Sequence, residues 1–183
     1  MNNIDIKKAV DKYKIVFTNE KNNFQILLEQ LNKSESATVR ANLYGHITAS
    51  GIVIKDNKIL LIFHNKLQKY LQPGGHIEND ESLWKAAQRE VLEETGIQTI
   101  LHPWHSVNSY IPINIDTHII PFNEKKQEPQ HFHHDFTFVF NVSNNQVVLQ
   151  QEEVSDYKWL SIESKFNEKL LDNVGAKISA LKL

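Results

Sequence analysis

Glu81-Ser82-Leu83-Trp84-Lys85-Ala86-Ala87-Gln88-Arg89-Glu90-Val91-Leu92-Glu93-Glu94-Thr95-Gly96 is the stretch on which the reading of this chain turns. At about 100° per residue, Leu83, Trp84, Ala87 and Val91 gather on one side and are predicted to face a sheet. Asn79 or Asp80 is the expected N-cap and Gly96 the residue that ends the helix in the left-handed region. Glu90, Glu93 and Glu94 fall at i, i+3 and i+4, so their carboxylates share one adjacent strip.

That strip is a poor way to build a stable helix. A like-charged i,i+4 pair costs about 0.2–0.5 kcal/mol. Acids near a helix C-terminus oppose the dipole by about 0.3–1 kcal/mol each. Four residues beyond each acid stand Glu94, Ile97 and Gln98, so no lysine follows to relieve them. Local rules broken together point to a functional site. A divalent cation explains the arrangement, because carboxylate oxygens are hard ligands that suit Mg²⁺ or Mn²⁺. Arg89, one of only two arginines beside Arg40, can clamp a carboxylate through two parallel hydrogen bonds. The alternative is a merely acidic helix end.

Outward from this helix the periodicity divides the chain. Ile6, Val10, Tyr13 and Phe17, then Phe24, Leu27, Leu28 and Leu31, recur at helical spacing on either side of a polar break. Each helix has one apolar stripe and cannot form a core alone, so the pair is expected to cap the main domain or to form a homodimer surface. Ile47–Ile54 and Lys58–Phe63 read as strands joined by the turn Lys55-Asp56-Asn57-Lys58. Gln72-Pro73-Gly74-Gly75 reads as a turn. Strands are predicted over about 98–105, 107–120, 132–142 and 156–160. Leu171, Val174, Ile178 and Leu181 return to helical spacing, weakened by Gly175. The expected divisions are a helical region over 1–43, a catalytic domain over 44–163, and a terminal helix over 164–183. The element order implies an α/β class fold, a mixed sheet covered by helices.

Gly75, five residues, Glu81, seven residues, then Arg89-Glu90-Val91-Leu92-Glu93-Glu94-Thr95-Gly96-Ile97 resembles the Nudix box at every defined position. A looser resemblance runs from about His46 to Leu160 and takes in Leu71-Gln72-Pro73 and Trp159-Leu160. The resemblance implies a Nudix-like α/β/α sandwich with an N-terminal helical cap outside it. It implies Mg²⁺-dependent hydrolysis, by water attack at phosphorus, of a nucleoside diphosphate linked to another moiety. Under it Glu90, Glu93 and Glu94 are metal ligands, the Gly75 carbonyl adds another, Arg89 orients the acids, and Glu81 supports the site. The general base is either a helix glutamate or Glu152 or Glu153.

A second constellation lies in Gln130-His131-Phe132-His133-His134-Asp135-Phe136-Thr137-Phe138. As a strand, it turns Phe132, His134, Phe136 and Phe138 one way and His131, His133, Asp135 and Thr137 the other. A hairpin centred between Lys125 and Lys126 sets His118 opposite His133 and Asp116 opposite Asp135. Facing aspartates are unfavourable unless a cation or a proton lies between them. Three readings stand open: contact with substrate through His76, Asp116, His118, His133 and Asp135, a second metal, or a hydrogen-bonded polar patch. His-x-His alone is weak evidence for zinc, because the third ligand has to be guessed. His46, His64, His102 and His105 read as satisfied strand or loop histidines. Trp84, Trp104 and Trp159 read as core or interface.

Composition narrows the alternatives. The 183 residues carry 20 basic and 22 acidic side chains, a formal charge of −2, which argues against coating duplex nucleic acid. No cysteine is present, which excludes thiolate metal sites, cysteine nucleophiles and the diphosphate isomerases that use one on the same fold. No secretory or membrane-spanning stretch is visible, so a cytoplasmic protein acting on a small-molecule diphosphate is the expectation. The competing reading is a non-catalytic, nucleotide-sensing Nudix domain.

Overall fold

The computed structural model describes all residues except 19, 21–23, 34, 79, 80, 125, 126, 145, 167 and 168. Two helices come first, α1 (Asn3–Val16) and α2 (Phe24–Leu31). Strands β1 (Gly45–Lys55), β2 (Lys58–His64), β3 (Lys69–Leu71) and β4 (Gly74–His76) lead to helix α3 (Leu83–Thr95). Then follow β5 (Thr99–Leu101), α4 (Pro103–Val107), β6 (Asn114–Ile120), β7 (His131–Val142), β8 (Val154–Ser161) and α5 (Lys169–Leu181). Among the described residues, no helix is long and apolar enough to cross a membrane.

The eight strands form one mixed sheet in the order β3-β2-β1-β7-β5, with β4 on β1, β6 on β7 and β8 on β2. The central pair β1–β7 is parallel, from Gly45 opposite Phe132 to Ile54 opposite Asn141, and the other pairs are antiparallel. One face packs Ile47, Ala49, Phe136 and Phe138 against Ala86 and Ala87 of α3 and against Ile6, Val10 and Leu27 of the N-terminal helices. The other face packs Ile52 and Val139 against Leu171, Val174 and Ile178 of α5. This is the expected sandwich with its helical cap.

Several local rules explain the elements. Asn2 accepts the Asp5 N–H at 3.1 Å while Asp5 accepts the Asn2 N–H at 3.3 Å, a capping box that opens α1. Asp56 (φ 49°) and Asn57 (φ 57°) both occupy the left-handed region that a tight hairpin requires between β1 and β2. Gly96, with φ 67°, ends α3 as expected, and its N–H donates to the Leu92 carbonyl.

The structure corrects other expectations. Ser82, with no side-chain capping bond, is the N-cap of α3, while Asn79 and Asp80 lie outside the described residues. Ala86 is fully buried on the sheet side of α3, where Trp84 was expected; Trp84 packs at the margin and stacks on Tyr110. The strand expected over 98–105 is cut to Thr99–Leu101, because Pro103 begins α4 where its missing N–H costs nothing. The strand expected over 107–120 begins only at Asn114, since Ser109 and Tyr110 (both φ 57°) turn the chain out of the extended path. The glycine turn is itself partly strand: Gly74–His76 pairs antiparallel with Thr48–Ser50. Helix α5 runs through Gly175, where a β-carbon would stand 3.1 Å from the Ile162 carbonyl oxygen.

Candidate active site

The site is built where β4 runs beside β1 under the last turns of α3. Ala49 pairs with Gly75, and Thr48 with His76. Alternation then sends position 75 toward α3 and the His76 side chain to the opposite face. A β-carbon at Gly75 would lie 2.5 Å from Glu90 Oε1, so only glycine leaves room for that carboxylate. At Gly74 the obstruction is backbone, with Ser50 Cα at 2.8 Å and the Ala49 carbonyl oxygen at 2.9 Å.

Arg89 organises the acids. Its Nη2 donates to Glu81 Oε1 at 2.8 Å and to the His76 carbonyl at 2.8 Å. Its Nη1 donates to Glu90 Oε1 at 2.8 Å and Glu93 Oε2 at 2.9 Å. The relief missing from the sequence four residues after the acids therefore comes from four residues before Glu93. Glu81 is held in turn by the Glu78 N–H at 2.9 Å. Partial burial works against the charge of Arg89, but the hydrogen bonds to Glu81 and Glu90 outweigh it.

The three helix acids differ in setting. Glu94 is almost fully buried, 3% exposed, and accepts the Gly74 N–H at 3.0 Å. Burial first, then repulsion from Glu90, Glu153 and Glu93, pushes its carboxyl up to about 8. Glu90 is also raised, chiefly by burial and against the pull of Arg89. Glu93 is half exposed. Crowded, partly desolvated carboxylates with one shared arginine form a hard-oxygen donor set, and a dication fits them better than a second organic base would. Glu153 contributes to the repulsion at both Glu90 and Glu94, which brings its charge into the site.

The opposite face of the sheet carries the histidines. The register sets His118 opposite His133 and Asp116 opposite Asp135, as the hairpin reading predicts; the tip at residues 125 and 126 lies outside the described residues. His133 is in turn opposite His46, and Asp135 opposite Thr48. The two aspartates are handled separately. Asp116 Oδ2 meets His118 Nδ1 at 2.9 Å, and that bond raises the imidazole's pKa. Asp135, 5% exposed, accepts from Thr48 Oγ1 at 3.0 Å, from Thr137 Oγ1 at 3.2 Å and from Ser50 Oγ, while burial raises its pKa.

His46 is the residue that sequence reading passed over. It lies 2% exposed at the centre of the histidines, with its Nε2 3.0 Å from His76 Nε2. Only the β1–β7 register reveals that His46 and His133, 87 positions apart, are neighbours. By contrast His105 is the satisfied core histidine it was read as: Nδ1–H donates to the Ile111 carbonyl at 2.7 Å and Nε2 accepts the Val139 N–H at 2.9 Å. Trp104 and Trp159 pack at the margins of the core.

Comparison with known proteins identifies the family. The family model described as "NUDIX domain" matches residues 45–181. A Lactococcus lactis protein named "Probable DHNTP pyrophosphohydrolase" is 30% identical over 144 residues, 78% of this chain and 82% of its own. "Phosphatase NudJ" of Escherichia coli K12 is 32% identical over 123 residues, 64% of this chain and 69% of its own. A crystal structure of a NUDIX-family hydrolase from Clostridium perfringens superposes with TM-score 0.56 at 25% identity, over 74% of this chain and 97% of that one. Box, fold and relatives coincide on the same segment, and the chain belongs to the Nudix family of hydrolases, enzymes of the pyrophosphohydrolase type.

Proposed function

We propose that this chain cleaves the pyrophosphate bond of a nucleoside diphosphate linked to another moiety, with Mg²⁺ or Mn²⁺ held by Glu90, Glu93, Glu94 and the Gly75 carbonyl. The observation that carries the reading is that Glu90 and Glu94 meet a glycine strand whose missing side chain leaves Glu90 its place, while Arg89 holds Glu93 beside Glu90. A hard dication supplies charge neutralisation to the diphosphate and acidity to its bound water. Arg89 orients Glu90 and Glu93, and Glu81 fixes Arg89 from the other side. Both are positioning residues.

Water attack forms a new P–O bond at one phosphorus and breaks the bridging P–O bond. The proton goes to a carboxylate, and the products are a nucleoside monophosphate and a phosphorylated second fragment. The base is proposed to be one of the helix glutamates or one of the loop acids Glu152 and Glu153. His76, Asp116, His118, His133 and Asp135 are proposed to border the substrate from the sheet, Asp135 through the hydroxyls that surround it. Residues 1–43 would cap the site-bearing domain over 44–163, with 164–183 packed on its far face.

The test is a panel of nucleotide sugars, dinucleoside polyphosphates and nucleoside triphosphates, incubated with the purified chain and Mg²⁺ or Mn²⁺. Monophosphate and orthophosphate are measured separately. Metal-dependent release of a monophosphate from at least one linked diphosphate is expected. Binding of these compounds without hydrolysis would overturn the reading in favour of a sensing domain.

A further inference from the structure

We infer that the imidazoles of His46, His76 and His133 form a binding site for a borderline d-block dication of the Zn²⁺ type, on the sheet face opposite the glutamates. The inference is independent of the Mg²⁺ reading. One ring nitrogen from each of the three lies within 4.8 Å of those of the other two. They come from three strands, β1, β4 and β7, whose register fixes their spacing, so the cluster does not depend on a mobile loop. His46 and His76 oppose Nε2 to Nε2 at 3.0 Å. Two nitrogens bound to one tetrahedral zinc at about 2.0–2.1 Å stand roughly 3.3 Å apart. Small ring rotations therefore bring the set onto a common centre.

The tautomers point the same way. His46 Nδ1 faces the Asn42 carbonyl at 3.5 Å; a carbonyl only accepts, so this contact favours the tautomer with the proton on Nδ1 and the lone pair on Nε2. The same logic holds at His131, whose Nδ1 donates to the Pro129 carbonyl at 2.8 Å and whose Nε2 stands 3.3 Å from His133 Nε2. Backbone carbonyls that fix a ligand's tautomer in this way are the usual second support of a metal-binding histidine. His131 thus stands beside His133 at the edge of the three. Neutral imidazole is the form that binds metal. Imidazole prefers zinc, nickel or copper, whereas the carboxylate set across the sheet prefers magnesium or manganese. One chain would then hold two cations of different class, sorted by ligand type.

The experiment is calorimetric titration of the chelator-stripped full chain with Zn²⁺, alongside Glu90→Gln/Glu93→Gln, His133→Gln and His46→Asn variants checked by thermal melting. One Zn²⁺ per chain is expected in the wild type and in the glutamate variant. In His133→Gln, a half-buried position that tolerates the change, affinity is expected to fall by about 100-fold, the upper end of what loss of a mere supporting partner costs. His46→Asn tests the same point at the buried ligand. Unchanged Zn²⁺ affinity in His133→Gln, absence of binding in the wild type, or loss of binding in the glutamate variant would each overturn the inference. The magnesium reading is tested separately, by the glutamate variant's Mg²⁺ titration.

Discussion

Gly75 and Glu90 are matched in space: a β-carbon on the first would stand 2.5 Å from a carboxylate oxygen of the second. The relation joins a strand and a helix fifteen positions apart and explains why a glycine follows Gly74 at the start of the box. The obstruction at Gly75 is the end of a side chain, whereas at Gly74 it is backbone.

The two glycines therefore fail differently on substitution. Gly75→Ala displaces the Glu90 carboxylate and is expected to lower metal-dependent turnover by about 10-fold or more while the fold survives. Gly74→Ala drives β4 off β1 and is expected to lower the melting temperature. Comparing melting curves with Mg²⁺-dependent rates separates the two outcomes.

Arg89→Lys keeps the charge and loses the fork that reaches Glu81, Glu90, Glu93 and the His76 carbonyl together. A double-mutant cycle with Glu81→Gln is expected to show coupling of about 0.5–3 kcal/mol. Additive effects on stability would show that the two side chains act separately.

His105 predicts a pH dependence of stability. Burial lowers its pKa from 6.5 to about 4, outweighing the bond to the Ile111 carbonyl, which raises it. The unfolded chain binds the extra proton, so stability is complete above pH 6.5 and declines as pH falls toward 4. The decline at full effect is on the order of 3 kcal/mol. His105→Gln is expected to be less stable at neutral pH, and its deficit relative to the wild type should shrink in acid. Denaturant midpoints at several pH values check this.

Lys177 joins the terminal helices to the sheet. Its ammonium donates to Tyr13 Oη and the Ile113 carbonyl at 2.8 Å, to Asn114 Oδ1 at 2.9 Å, and pairs with Glu20. Removing one partner of a largely buried pair costs about 3–5 kcal/mol. Lys177→Met is expected to destabilise by an amount near the lower end of that range, read from urea unfolding, and Glu20→Gln should recover part of it.

The helix that carries the candidate site is legible in the sequence because its signal is local. Glu90, Glu93 and Glu94 break helix rules within five residues, and the β6–β7 register followed from counting across one hairpin. Two kinds of feature were not legible. Ser109 and Tyr110 adopt a left-handed backbone with no glycine to announce it, so the strand before Asn114 was drawn too long. His46 joins His133 only through a parallel pairing, and parallel strands have no hairpin whose turn fixes their register. The glycine pair reads as a turn because two of the three residues in its short strand have no side chain to alternate.

Glu90, Glu93 and Glu94 are proposed to hold the cation on which pyrophosphate cleavage depends. The most direct test is the rate of monophosphate release from a hydrolysed linked diphosphate, measured against Mg²⁺ concentration, in the wild type and Glu93→Gln. Glu93 is half exposed and paired only at the site, so the variant should remain folded. A fall in rate of about 100-fold or more, with a higher Mg²⁺ requirement, is the predicted result. Unchanged turnover at an unchanged Mg²⁺ requirement would contradict it.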